Sequence, residues 1–248
     1  ERVSFGLAGT FDNGFDWNFD MTRSAEDNYG RQPDTGTSKL AAAIDGRGGP
    51  SGNETFDLFD PTANSQTLRD WLRSDQETWT NVVLSVVDFV MSGEVGGIDL
   101  AAGAQQRREK YDITRSPNSI VEFDAAGNLT KPADMIFLGG GTESSASRTT
   151  NAVFLEASTD LSENLELKGA VRYEDLENDS NVDPKLSLRY QASDEVILRA
   201  SVSTSYREPS LSQLYTSTVG LQGIQDYNPD GSAKGGTAFI RIAQDGNP

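Results

Sequence analysis

The stretch LRASVSTSYREPSLSQLY, from Leu198 to Tyr215, opens as a strict alternation and then meets an Arg-Glu-Pro-Ser turn signal. Such alternation predicts a β-strand, because successive side chains of a strand point to opposite faces. One face is mostly apolar and consists of Leu198, Ala200, Val202, Thr204 and Tyr206. The other carries Arg199, Ser201, Ser203, Ser205 and Arg207. We expect the strand to end at Pro209, which cannot donate to a ladder.

The same two-residue period recurs along the chain and predicts eight strands. They are Arg2–Phe11, Phe15–Arg23, Glu77–Met91, Ile98–Thr114, Thr149–Thr159, Leu165–Glu174, Pro184–Gln191 and the strand that begins at Leu198. Asp12–Gly14 predicts a hairpin turn, since Asn-Gly supplies the positive φ that such turns require. A short helix is expected around Leu68, Trp71 and Leu72, and a further strand at Ala238–Ile242.

The connections between these strands alternate between short and long, with one of intermediate length. This asymmetry is typical of outer-membrane β-barrels, which have brief periplasmic turns and long external loops. Aromatic residues near both ends of the strands favour the same fold, because such barrels carry aromatic girdles at the two membrane interfaces. Trp17, Tyr173 and Tyr206 are the candidate girdle residues. A soluble β-sandwich or lectin-like domain remains the alternative, since its strands also alternate.

Composition excludes several classes of function. The chain has 248 residues, a formal charge of −17, no cysteine and no histidine. Disulfide scaffolds, Cys/His zinc sites and His-dependent catalytic triads are therefore excluded. The acidic balance argues against a nucleic-acid partner, which needs clustered Lys and Arg. The chain begins without Met and stops in a loop-like stretch, so we expect it to be a piece of a longer protein.

Four linked segments resemble the barrel of TonB-dependent outer-membrane receptors. Glu156, AVRYE at Ala170–Glu174, PKLSLR at Pro184–Arg189 and the run Leu198–Leu214 follow in the order found in that family. MSGEVGGIDLAAGAQQRREKY, Met91–Tyr111, is similar to one of its hairpins, and FDWNFDM, Phe15–Met21, to one of its strands. The plug domain and the TonB-contacting segment of the family are absent from these residues.

The resemblance implies an all-β, antiparallel transmembrane barrel domain over residues 1–248, partial and with about eight strands of a larger barrel. It also implies a bacterial outer-membrane receptor, not an enzyme, that requires no cofactor. The parent protein would bind a scarce ligand of the siderophore, cobalamin or oligosaccharide class and import it with TonB. Its partners would be outer-membrane lipid, the TonB complex through the missing N-terminal region, and an unidentified small molecule. A passive porin-like barrel is a second alternative.

Charged residues on the polar faces of the strands are the candidate lumen-facing positions. They are Glu156, Arg172, Glu174, Lys185, Arg189, Arg199 and Arg207. Cross-strand Glu/Arg pairs lining a wet lumen would make them a structural ladder. The other interpretation is a substrate-binding surface. We favour the ladder because these charges repeat on several strands instead of converging at one spot.

Three other patterns have ordinary structural interpretations. The acidic runs at Tyr173–Ser180 and Ser24–Asn28 do not match a calcium loop, so solvated loops are expected and no metal is assigned. NPDGSAKGG, from Asn228, predicts a turn cluster. LGGGTESS, Leu138–Ser145, lacks the Lys-Ser/Thr of a phosphate-binding loop.

Overall fold

The structure is a computed structural model that describes residues 1–177 and 179–244. Its residues group into two compact units. The first, here the sheet unit, comprises Glu1–Glu26, Val82–Lys110 and Ser147–Pro209. The second, here the loop unit, comprises Asp27–Asn81, Tyr111–Ala146 and the residues from Ser210 onward.

Strands dominate the secondary structure. Their bounds are β1 Arg2–Thr10, β2 Asp16–Gln32, β3 Gln76–Val95, β4 Ile98–Arg115, β5 Glu122–Phe123, β6 Leu129–Lys131, β7 Ser144–Ser162, β8 Leu165–Asp175, β9 Ser180–Gln191, β10 Ile197–Ser203, β11 Thr218–Tyr227 and β12 Ala233–Gln244. The helices are α1 Thr37–Ile44, α2 Gln66–Leu72 and α3 Leu211–Tyr215. Short 3₁₀ turns cover Pro61–Ala63 and Pro117–Ser119.

Eight strands form one sheet in the order β1-β2-β3-β4-β7-β8-β9-β10. Each strand therefore pairs with the next of the set along the chain, as in an up-and-down barrel wall. The sheet is not closed, and β1 and β10 lie at its two ends. The predicted fold class, a partial antiparallel β-barrel, is confirmed. Two separate hairpins, β5-β6 and β11-β12, complete the strand inventory of the described residues.

Most predicted elements are present, with some differences in extent. The Asp12–Gly14 turn is present, with Gly14 at φ 84° and its N–H donating to the Phe11 carbonyl over 2.9 Å. The predicted helix is α2, and β12 covers the predicted strand near the C-terminal end. The strand that begins near Leu198 is shorter than predicted, because β10 ends at Ser203. α1 and β11 were not predicted.

The sheet unit exposes its apolar face. Registers align apolar side chains across neighbouring strands: Val153, Tyr173 and Val182 form one row, and Leu165, Tyr190 and Leu198 another. Large side chains on this face are exposed, with Val153 at 53% and Leu155 at 51%. On the opposite face Arg172, Glu174 and Arg189 are half-buried. This is the reverse of a soluble sheet, which covers its apolar face.

The loop unit has buried apolar clusters of the ordinary kind. Ala43, Leu68 and Leu72 are buried together, and Leu40, Phe56 and Trp71 pack against them. A second cluster consists of Val121, Ala133, Met135 and Val219. Among the described residues, no helix has the length and apolarity needed to cross a membrane.

Candidate functional site

An ionic network crosses the polar face of the sheet unit around Arg172. Its guanidinium donates to Glu174 Oε1, with Nη2–Oε1 at 2.8 Å, and Nη2 also donates to Gln105 Oε1 over 3.0 Å. Gln105 in turn donates to Asp88 Oδ1 over 2.6 Å. The network joins β3, β4 and β8, so two of the sequence-predicted residues, Arg172 and Glu174, are brought together.

Glu156 forms a second contact of this type. Its carboxylate pairs with the ammonium of Lys168, which lies on the neighbouring strand β8. Glu166, on the same face, accepts a hydrogen bond from the Ser158 hydroxyl over 3.2 Å. Cross-strand charge pairs of this kind are the arrangement that a ladder requires.

Lys185, Arg189 and Arg199 are arranged differently. Arg189 lies directly opposite Glu166 on β8 and directly opposite Arg199 on β10. Like charges directly opposite each other are destabilising, so Glu166 offsets part of the repulsion. All three basic residues line a cavity of about 320 Å³, together with Glu166 and Lys168. This part of the polar face collects positive charge instead of pairing it.

Tyr206 and Arg207 lie beyond the end of β10, so their predicted positions within a strand are wrong. Pro184 O accepts the Thr204 N–H over 3.2 Å, and from there the chain continues without regular structure to Ser210. Arg207 and Tyr206 are both exposed. The residue of this segment that makes a charged contact is Glu208, which the sequence analysis did not single out.

Arg148 is the centre of that contact. Its side chain is only 7% exposed, and its Nε donates to Glu109 Oε2 over 2.5 Å. Nη1 donates to the Pro209 carbonyl over 2.7 Å and lies 3.1 Å from Glu208 Oε2. Arg148 therefore ties the segment after β10 to β4 and β7. The strand period, extended back from Thr149 to Ser144, places Arg148 on the same face as Glu156 and is the signal that would have found it.

Trp17 and Tyr173, the two aromatic candidates that lie within strands, have different environments. Trp17 is half-buried, and its ring lies over Gly9, the residue opposite it on β1. A Cβ at Gly9 would meet this ring at 2.9 Å, so the close approach depends on glycine. Phe11 packs beside Trp17 with a centroid separation of 6.1 Å. Tyr173 is 42% exposed and lies between Val153 and Val182 on the apolar face.

In the loop unit, carboxylates organise the chain. Asp34 accepts hydrogen bonds from the main-chain N–H groups of Phe137 and Leu138, at 3.0 and 2.6 Å to Oδ2. Asp75 pairs with two arginines, Arg31 and Arg73. The guanidinium of Arg73, followed by that of Arg31, holds the pKa of Asp75 below its usual range, although burial of the carboxyl opposes the shift.

Turn aspartates account for several of the acidic and glycine-rich segments. Asn128 donates to Asp124 and lowers the pKa of that carboxyl. Ser232 does the same for Asp230, within the turn predicted at Asn228. In the described part of the chain, no group of three or more acidic side chains is placed to hold a metal ion. Asn178, within one of the predicted acidic loops, lies outside the described residues.

A cavity in the loop unit has a volume of about 650 Å³. Its polar lining residues include Gln32, Gln76 and Arg115, and its wall includes Leu138 to Gly140 and β11 from Thr218 to Gln222. Arg115 ends β4; its Nε donates to the Thr142 carbonyl over 3.0 Å, and its main-chain N donates to Glu143 Oε1 over 2.9 Å. The sequence analysis did not assign any of these residues to a site.

The glycines of the LGGG segment serve close packing. A Cβ at Gly139 would collide with the main chain of Val219, and one at Gly141 would meet Arg115 Nη2 at 2.7 Å. Gly140 adopts φ 72°, which side-chain-bearing residues rarely do. Val219 N donates to the Gly140 carbonyl over 3.2 Å, so β11 lies directly against this segment.

Comparison with models of protein families identifies the family to which this architecture belongs. The chain matches the family model described as TonB dependent receptor-like, beta-barrel, over residues 1–244. A comparison with curated proteins found no match.

Among solved structures, the chain is similar to the ferric enterobactin receptor of Pseudomonas aeruginosa. A point mutant in complex with enterobactin has 18% identity and a TM-score of 0.53, with 99% of this chain and 30% of that chain covered. A second point mutant, also with enterobactin, gives the same values. The receptor in complex with BCV-L6 has 19% identity and a TM-score of 0.51, with the same coverage. The chain thus spans 30% of the length of these receptors, and the likeness concerns the fold.

Proposed function

Because the chain belongs to the family of TonB-dependent receptor-like β-barrels, we propose that its parent captures a scarce extracellular ligand and imports it with energy relayed through TonB. The chain is a bacterial outer-membrane protein. Residues 1–248 would supply one part of the barrel domain, with the short turns on the periplasmic side and the long connections outside. The ligand would be of the siderophore, cobalamin or oligosaccharide class.

The exposed apolar face of the sheet unit is the observation that carries this proposal. Val153 and Leu155 on β7 and Leu186 and Leu188 on β9 are all exposed, and the opposite face bears the charges. In water such a surface would be a severe aggregation liability. Lipid removes the penalty, since acyl chains are as apolar as these side chains.

The charges of the polar face would then line a wet lumen. Glu156, Arg172 and Glu174 are paired across or along strands and fit the ladder interpretation. Three basic side chains of this face would remain free to bind a negatively charged group in the lumen: Lys185, Arg189 and Arg199. Trp17 and Tyr173 would belong to the aromatic girdles; Tyr206 and Arg207 would lie in the segment that leaves the membrane.

The two alternatives make different demands on the chain. A soluble sandwich needs two sheets that bury apolar faces against each other, whereas these eight strands form one sequentially connected sheet. A passive porin-like barrel would share the sheet but would transport without TonB. The exposed apolar face disfavours the soluble sandwich. Whether uptake requires TonB distinguishes the proposed receptor from the porin-like barrel.

Uptake in matched host strains tests the proposal. The full-length gene would be expressed in a Gram-negative host lacking its own receptors, with TonB intact or deleted. The cells would be supplied with labelled iron–siderophore complexes, cobalamin or oligosaccharides at limiting concentration. We expect uptake of one class that requires both the gene and TonB. Equal uptake in the TonB-deleted host would contradict active import, and a cooperative monomer without detergent would contradict the membrane assignment itself.

A further inference from the structure

We propose that the 650 Å³ cavity of the loop unit binds a small monocarboxylate ligand that also carries a hydroxyl or amide donor. This deepens the proposed function, on which its physiological role rests, because it gives the ligand of an uptake receptor a chemical class. Binding itself is measurable without transport.

Arg115 supplies the anion-recognising group. Within the described residues, its recorded hydrogen bonds use Nε and the main-chain N, which leaves both terminal nitrogens for a ligand. Burial lowers the pKa of Arg115, and the nearby carboxylate of Glu143 opposes this effect. A guanidinium removed from water is stabilised by a carboxylate, whose two oxygens match its planar fork.

Gln76 supplies an acceptor that lacks a donor. Its Oε1 is buried and has no hydrogen-bond partner among the residues that the structure describes. The amide nitrogen of the same side chain is 3.4 Å from Gln32 Oε1. A buried carbonyl oxygen without a partner is unfavourable, so a ligand O–H or N–H at this position would be bound selectively.

The rest of the cavity has a mixed lining, with Gln32, Thr218 and Gln222 beside apolar side chains, and one of its walls is firmly built. Phe137, Leu138, Leu221 and Ile242 provide the apolar lining. The Gly139–Gly141 segment and β11 are in close main-chain contact, which fixes one wall. A volume of about 650 Å³ lies within the ordinary range of small-molecule sites.

The charge of the site limits the charge of its ligand. Among the described lining residues, Arg115 is the single charged one, and Glu143 is bonded to its main chain. A chain with a net charge of −17 repels anions generally, so one local cation suits one carboxylate better than a polyanion. Phosphate carries more negative charge and more hydrogen-bond acceptors than this single guanidinium can neutralise and pair.

The experiment uses the full-length protein in detergent micelles and three related probes. 3-Hydroxybenzoate has both groups, benzoate lacks the hydroxyl, and 3-hydroxybenzamide lacks the charge. Calorimetric titration should rank their affinities in that order. Arg115→Gln should weaken 3-hydroxybenzoate about tenfold or more, since a charge-assisted hydrogen bond is lost. Arg47→Gln, which removes an equally positive but exposed side chain outside the cavity, should leave binding unchanged.

Gln76→Met separates binding from folding. It removes the unpartnered oxygen at similar volume, so the protein should be at least as stable as wild type. At the same time the preference for 3-hydroxybenzoate over benzoate should disappear. Absence of binding by all three probes, or an unchanged ranking in both Arg115→Gln and Gln76→Met, would overturn the proposed site. Loss of TonB-dependent uptake with these affinities intact would instead count against the proposed function alone.

Discussion

The two units of this chain bury opposite kinds of side chain. In the sheet unit, Leu155 is 51% exposed while the guanidinium-bearing side chain of Arg148, on the same strand, is 7% exposed. In the loop unit, Leu68 and Met135 are essentially inaccessible, while Arg47 and Lys131 are exposed. One chain therefore follows two burial rules. The difference shows that the sheet unit is built for an apolar solvent and the loop unit for water.

This comparison predicts that buried ion pairs stabilise the sheet unit, whereas apolar packing stabilises the loop unit. Arg148→Met would leave Glu109 and Glu208 without their principal partner. Removing one member of a buried pair costs about 3–5 kcal/mol. We expect a loss of this size in the free energy of unfolding, measured by denaturant titration in lipid vesicles.

The matched control for Arg148→Met is Lys131→Met. Lys131 pairs with Glu122 in the loop unit, and both side chains are more than half exposed. Exposed pairs contribute only about 0–1 kcal/mol. If both substitutions had the same small effect, the polar face of the sheet unit would not depend on its buried ion pairs.

Truncating the core of the loop unit should have a comparable or slightly smaller effect, confined to that unit. Leu68→Ala would open a cavity among Ala43 and Leu72, at a cost of about 2–5 kcal/mol. Hydrogen exchange should show loss of protection in α1 and α2 while β8 and β9 keep theirs. Phe59→Ala, at a fully exposed position, should change nothing measurable. Loss of protection throughout the sheet would show that the two units do not unfold separately.

A charge placed on the apolar face tests the lipid assignment directly. Leu155→Arg should cost about 2–4 kcal/mol if the side chain lies near the middle of the membrane. The folded fraction after insertion into vesicles, read from heat-modifiable electrophoretic mobility, should fall. Ser158→Arg puts the same group on the polar face, beside the Glu166 carboxylate, and should fold almost normally. Equal behaviour of the two variants would mean that Leu155 does not contact lipid.

Acid pH should destabilise the loop unit around Asp75, by less than the substitutions above. Because its arginine partners lower the folded pKa of Asp75, its contribution to stability is present above the ordinary pKa of about 3.9 and is lost as the pH falls through the folded value. The hydrogen-exchange protection factors around Arg73 and Asp75, corrected for the intrinsic pH dependence of exchange, should therefore fall at acid pH. Asp75→Asn should have lower protection at neutral pH and a smaller change on acidification; an unchanged pH response would contradict this role.

The strands were predictable because their signal is local. Each strand segment has a period of two, in which side chains alternate between the two faces of the sheet. In β7, Val153 and Leu155 lie on the exposed apolar face, and Phe154 and Glu156 lie on the other. By contrast, α1 begins at Gly36, which has no side-chain cap, so the sequence lacks a start signal. β11 contains Gly220 and Gly223, which weaken a strand pattern, and it is stabilised by pairing with β12.

The sites were less predictable because they depend on distant partners. Glu109 and Pro209 are 39 and 61 positions from Arg148 in the chain, and no periodicity links them. The cavity of the loop unit likewise joins Gln76, Arg115 and Val219. The paired charges Arg172 and Glu174 were easier, since they are two residues apart on one strand face. Local pattern therefore predicted the scaffold, whereas long-range contacts determine the cavity.

The cluster of Ala43, Leu68 and Leu72 has a consequence for how such chains diversify. All its members, and the side chains that pack against it, come from the single connection between β2 and β3. Elsewhere Gly96–Gly97 and Glu163–Asn164 join strands with no room for such an element. Residues 33–75 thus form a cassette with its own interior. Recombination could exchange that cassette between scaffolds, and a protein engineer could graft it, without rewriting any strand pairing.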